Sequence, residues 1–163
     1  MKITTASKSD LPIVHQLAHT IWLDAYKNIL SIEQIEFMLN HFYSCASLEK
    51  QLETNQVFLL FSIENEYVGY ASYELNFDGS NKTKLHKLYM LPNLQGKGFG
   101  KLAVNEVLSI ASKNKNLGVV LNVNKYNSAI QFYSKIGFSI IDSVVINIGN
   151  GYIMDDYVME TNF

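Results

Sequence analysis

Residues 85–101 read LHKLYMLPNLQGKGFGK, an apolar, strand-like run that passes through Pro92 into a loop with Gly96, Gly98 and Gly100. A helical pattern follows. Glycines at alternate positions permit backbone angles and close approaches that side chains would block, and the first turn of the helix points unpaired N–H groups and its positive dipole end at the loop. The junction therefore predicts an anion site, with a diphosphate as the natural guest.

Spacing narrows the choice of nucleotide. No register supplies the G-x-x-x-x-G-K-[ST] of a P-loop, and G-x-G-x-x-G fails because Lys101 stands where the third glycine would have to be. What is present is Gln95-x-x-Gly98-x-Gly100 after the strand Leu88-Tyr89-Met90. About 25 residues on comes Asn124-x-x-Asn127-x-Ala129-x-x-Phe132-Tyr133-x-Lys135-x-Gly137-Phe138.

Composition bounds the rest. The chain has 163 residues, 48% hydrophobic and 17% charged, enough for one compact domain over residues 1–163 with a real core. A net charge of −2 and the lack of a long basic run give no reason to expect nucleic acid or an acidic membrane, and favour a small-molecule partner. Cys45 is the single cysteine, so no internal disulfide or zinc cluster of the usual kind is expected. The N-terminus is polar, and no run of 18 apolar residues occurs, which predicts a cytoplasmic protein.

Periodicity predicts an edge strand at residues 2–5 and a helix capped by Ser9 or Asp10 that reaches about Tyr26. Val14, Leu17, Ala18, Ile21 and Ala25 form its inward face, beside a stripe of His15, His19, Trp22 and Tyr26. A second helix follows Ser31, whose spacing to Gln34 suggests a capping box, and helical turns follow at 47–54. Strands at 56–63 and 67–75 make a hairpin, and the motif strand covers 83–90. A helix then runs to about Lys115 and a buried strand covers 119–123. A short helix stopped by Gly137 and a hairpin with strands 139–147 and 152–160 close the chain.

Together the two motifs resemble the acetyl-CoA segments of the GNAT superfamily of N-acetyltransferases. That resemblance implies an α+β fold: a mixed, mostly antiparallel sheet of about seven strands with flanking helices and a central splayed parallel strand pair. The segment 22–38 and the ending 147–160 are similar to the PaiA-type polyamine acetyltransferase branch, so the likeness reaches nearly the whole chain.

From the family follow roles at matching positions. Backbone groups of Leu88, Tyr89 and Met90 would pair with the pantetheine arm, and the loop Gln95, Gly96, Lys97, Gly98, Phe99, Gly100 and Lys101 would wrap the diphosphate. Asn127, and less directly Asn124, would contact the arm, with helix capping as the alternative for Asn127. Tyr133 matches the family tyrosine that faces the sulfur and would donate toward the departing thiolate. With reference values of about 8.5 for a thiol and 10 for a phenol, full proton transfer is uphill by roughly 2 kcal/mol, so a hydrogen bond would carry the role.

An acceptor amine must reach its neutral form, at roughly 4 to 5 kcal/mol at pH 7. His86 is the first base candidate. It is placed by strand alternation on the face of Leu88 and Met90, and its position resembles a histidine of serotonin N-acetyltransferase. Glu74 is the second. Position 84, a glutamate in some family members, is Lys84 here. Trp22 and Tyr26 would wall the acceptor together with His86, and Asp24, Glu33, Glu36, Asp155 and Asp156 are available to attract a cation.

The implied reaction is direct transfer from acetyl-CoA to a primary amine of a small molecule, with polyamines among the acceptors and no metal. A non-catalytic acyl-CoA-binding module and an enzyme acting on a protein or peptide amine are the alternatives. Dimers are frequent in the family and the last hairpin offers an edge, so a homodimer is expected.

Overall fold

The structure is a computed structural model that describes residues 1–163. Its strands are β1 (Lys2–Thr5), β2 (Val57–Ile63), β3 (Glu66–Glu74), β4 (Thr83–Met90), β5 (Gly118–Asn124), β6 (Ser139–Gly149) and β7 (Tyr152–Asn162). They form one seven-stranded sheet in the order β1-β2-β3-β4-β5-β7-β6, antiparallel except for the β4–β5 pair. The helices are α1 (Leu11–Tyr26), α2 (Ile32–Tyr43), α3 (Cys45–Glu53), α4 (Phe99–Lys113) and α5 (Ala129–Lys135). The implied α+β architecture is therefore present.

A sheet with two apolar faces must be covered twice. One face packs against α1–α3 through Leu11, Ile21, Trp22, Leu48, Phe58 and Tyr70, and the other against α4 and α5 through Val104, Val107, Leu85, Leu121 and Met159. No helix is long and apolar enough to cross a membrane.

Local chemistry sets most boundaries. Ser31 Oγ accepts the Gln34 N–H at 3.2 Å, half of the expected capping box; the Gln34 side chain instead donates to the Ile153 carbonyl at 2.9 Å, tying α2 to β7. Glu64 and Asn65, both at positive φ, turn the β2–β3 hairpin, so β3 already begins at Glu66. In the last hairpin Asn150 and Gly151 take that place.

Three expectations need correction. The helix after the glycine loop stops at Lys113, because Lys115 adopts φ +61° and turns the chain. Gly118 lies inside β5, where a Cβ would sit 2.2 Å from the Thr161 carbonyl oxygen of β7. More consequential, His86 does not share a face with Leu88 and Met90. Lys87 pairs with Ser72 and Leu85 with Tyr73, leaving His86 as the extra residue of a β-bulge. The bulge resets the alternation, so that Leu85 and Leu88, three apart, both pack on the α4 side.

Parallel pairing between β4 and β5 covers only Thr83–Leu85 against Val119–Leu121. Beyond Leu85 the edge of β4 that faces β5 has no strand partner. The bulge and the end of pairing coincide, and together they open the sheet.

Candidate active site

At this opening lies a cavity of about 460 Å³. Its walls come from α1 (Trp22, Tyr26), α2 (Gln34, Met38, Tyr43), β4 (Leu85–Tyr89), β5 (Leu121–Asn124), β7 (Ile153, Met154, Asp156), and Asn127 with Tyr133 beyond β5. Of the residues singled out from the sequence, Trp22, Tyr26, His86, Leu88, Tyr89, Asn124, Asn127 and Tyr133 meet here. Met90 is buried against the α4 side, and Glu74 reaches the site only through His86, whose Nε2 lies 3.1 Å from Glu74 Oε2.

The loop Gln95–Lys101 lies outside the cavity and joins it through packing. Gly96 and Gly98 hold φ of +76° and +84°, values that L side chains resist. Gly100 answers a different need: a Cβ there would come within 3.3 Å of Phe132, the neighbour of Tyr133. None of the N–H groups of Gly98, Phe99, Gly100 and Lys101 donates to a backbone carbonyl, as a helix start requires, and the loop is largely exposed. Lys97 and Lys101 flank it. These free donors and cations fit a diphosphate.

Asn127 Oδ1 accepts the Ala129 N–H at 2.8 Å, so it caps the start of α5 while lining the cavity. Asn124 Oδ1 holds the Tyr126 N–H at 3.0 Å. Tyr26 and Tyr89 hydroxyls meet at 3.0 Å, and Trp22 stacks on both at centroid separations of 4.6 and 5.7 Å. The side chain of Tyr89 thus builds a wall of the cavity as well as packing.

Burial governs the charges. Tyr133 is 8% exposed and burial holds its hydroxyl well above the usual phenol range, so it stays protonated. Burial first, then the charges of Lys87 and Lys84, push His86 down to about 3. Its contact with Glu74 is therefore a neutral imidazole N–H donating to a carboxylate. The same desolvation brings Lys84 and Lys87 to about 8.

Asp156 is the only carboxylate lining the cavity, 5% exposed and in no ion pair. Burial pushes its carboxyl up, more than the Asn122 amide and the charges of Lys84 and Lys125 hold it down. The sequence showed it only as one of five acids. Register decides its place, since Asp156 pairs with Asn124 at the end of β5. Lys87, Gln51 and Gln56 were not foreseen at all. Elsewhere, His15 Nδ1 is bound to the Tyr43 carbonyl at 2.7 Å beside His19, and no group of three or more His, Cys, Asp or Glu is placed to hold a metal ion.

Residues 15–138 match the model of the acetyltransferase (GNAT) family. The chain belongs to that family. Among curated proteins it is similar to a spermidine N(1)-acetyltransferase of Thermoplasma acidophilum, with 28% identity over 161 residues, 95% of this chain and 96% of the relative. Among solved structures it is similar to the PaiA N-acetyltransferase of the same organism in complex with coenzyme A, at TM-score 0.82 and 27% identity over 100% of both chains. A GCN5-related N-acetyltransferase of Rhodopseudomonas palustris, at TM-score 0.84 and 17% identity over 99% and 95% of the chains, shares the fold. These likenesses support the PaiA-type branch. This GNAT protein is an acetyl-CoA-dependent N-acetyltransferase, with acetyl-CoA as cosubstrate.

Proposed function

We propose that the protein transfers acetyl directly to a primary amine of a small molecule bound in the cavity between α1, α2 and the β4–β5 opening. The observation that carries this reading is the convergence of Tyr133, Tyr26, Asn127 and Asp156 on that one enclosed space. A cavity of about 460 Å³ suits a small acceptor better than a folded protein surface.

Acetyl-CoA supplies an activated thioester. The amine lone pair attacks its carbonyl carbon, the N–C bond forms, and the C–S bond breaks. Tyr133 offers its hydroxyl hydrogen to the departing sulfur, and the loop Gln95–Lys101 with the free edge of Leu88–Met90 holds the cosubstrate. The amine proton needs a receiver. His86, held down to about 3 by its burial, is a far weaker base than an ordinary imidazole. We assign that role to Asp156, whose raised pKa makes it a better acceptor than an ordinary carboxylate. His86, anchored by Glu74, acts as a neutral acceptor that orients the amine N–H.

Spermidine enters as an acceptor from the name of the curated relative, and Asp156 suits one of its ammonium groups. The weak basicity of His86 is the observation that favours the second reading, an acyl-CoA-binding module without turnover. Following free thiol release with acetyl-CoA and a panel of amines separates the two. Amine-dependent release that falls at least tenfold in Asp156→Asn supports transfer. Saturable acetyl-CoA binding with no release across the panel supports the module.

A further inference from the structure

Lys87 is the only cation lining the cavity, and no opposite charge pairs with it. Its Nζ meets Gln51 Oε1 at 2.6 Å and Gln56 Oε1 at 3.5 Å, and lies 5.5 and 5.7 Å from the ring centroids of Tyr43 and Phe58. It takes part in no ion pair. The amides beneath it are fixed in turn: Gln51 Nε2 donates to the Phe42 carbonyl at 2.8 Å, and Ser72 Oγ donates to Gln56 Oε1 at 3.2 Å. A rigid scaffold thus presents an ammonium group at the α3 end of the cavity.

A buried cation with only amide oxygens and ring faces around it is costly unless a ligand completes it. We propose that the acceptor carries a carboxylate as well as its amine, and that Lys87 binds this carboxylate while Asp156 receives the amine. The proposal rests on the acetyltransferase reading above and names the substrate class for that site. A single lysine, the only cation lining the cavity, matches a singly charged group better than a phosphate. At about 8, Lys87 remains roughly nine-tenths protonated at pH 7. Polyamines fit this end poorly, because a second ammonium would approach Lys87.

Topology sets the length. Lys87 lies on β4 and Asp156 on β7, with β5 between; two paired-strand spacings amount to roughly 10 Å, and because β4 has already parted from β5 beyond Leu85 this is a lower bound on their separation. An ω-amino acid or a short peptide-like acceptor spans that distance, whereas an α-amino acid binding both groups does not.

The test compares 6-aminohexanoate and 8-aminooctanoate with hexylamine, octylamine and spermidine in the acetyl-CoA assay. The expected result is a kcat/KM at least tenfold higher for the acids than for the matched plain amines. In Lys87→Met and Lys87→Gln that ratio collapses toward one, with the change carried by KM. Preference for spermidine or the plain amines, or an undiminished ratio in both variants, overturns the proposal. A second readout needs no turnover: the Lys87 ammonium, followed by NMR across pH, titrates at least one unit higher with 8-aminooctanoate bound. If acetyl-CoA binds but no amine is acetylated, the transfer reading falls alone, and this titration still decides the carboxylate site. An unmoved Lys87 then overturns it.

Discussion

His86 Nε2 and Glu74 Oε2 are 3.1 Å apart at the bulge of β4, and the imidazole in this pair is neutral. The folded value is about 3 against 6.5 for the free side chain, so the unfolded chain binds more protons between those values. Stability from this group is complete above pH 6.5 and is lost as pH falls toward 3. The groups around it are Glu74, Lys84 and Lys87, and protonation adds a third positive charge near the two lysines. Between pH 7 and 4.5 the loss is on the order of 2 to 3 kcal/mol. His86→Gln, which still offers an N–H to Glu74, flattens this part of the acid limb in urea unfolding. Equal slopes for both proteins would refute it.

Tyr133 faces the cavity from α5 with its hydroxyl held protonated by burial. Tyr133→Phe removes the proposed donor to the departing sulfur and leaves the ring packing on Phe132 and Phe138. The expected outcome is a kcat about 100-fold lower, with acetyl-CoA affinity changed less than threefold. Single-turnover kinetics check it. An unchanged chemical step would remove Tyr133 from the mechanism.

Gly98 caps α4 at φ +84° with open space where a Cβ would be added. Gly98→Ala therefore acts through backbone strain alone, at about 1 to 2 kcal/mol. Relief of that strain turns the free N–H groups away from the diphosphate, and acetyl-CoA binding weakens about tenfold by calorimetry. Gly79, at φ +69° and equally open, lies far along the chain from the loop. Gly79→Ala loses similar stability and keeps acetyl-CoA affinity. Equal effects of both on binding would make the loop a plain turn.

The legible part of this fold is its local part. Alternation, the Gly137 stop and the β4-loop-α4 junction that starts at Gly98 depend on neighbours in sequence, and the strand and helix ends fall within a few residues of where those signals put them. The bulge at His86 depends on how β4 registers against β3 while parting from β5, which no residue of β4 specifies alone. A one-residue insertion then moved His86 and Lys87 relative to Leu88. The site suffered likewise wherever it depends on long-range pairing: Tyr26 with Tyr89, Lys87 with Gln51, and Asp156 with Asn124.

The outer strand β6 carries the last prediction. It pairs only with β7, leaving an 11-residue edge whose Ile140, Ile141 and Val145 are 48%, 56% and 61% exposed. Soluble proteins blunt such edges with lysine, proline or bulges; β6 has no lysine or proline, and between its register shifts at Ile140/Asp142 and Asn147/Gly149 the stretch 142–147 is regular. A second copy adding its own β6 would pair the free backbone groups and bury these side chains, which is the basis for the proposed homodimer. Light scattering then gives a mass near twice 18.5 kDa. Val145→Lys places a like charge from each copy in that seam and shifts the protein to monomer, while acetyl-CoA binding at the β4–β5 opening persists. A wild-type protein that is monomeric at all concentrations would refute the pairing, and a Val145→Lys dimer would move the interface elsewhere.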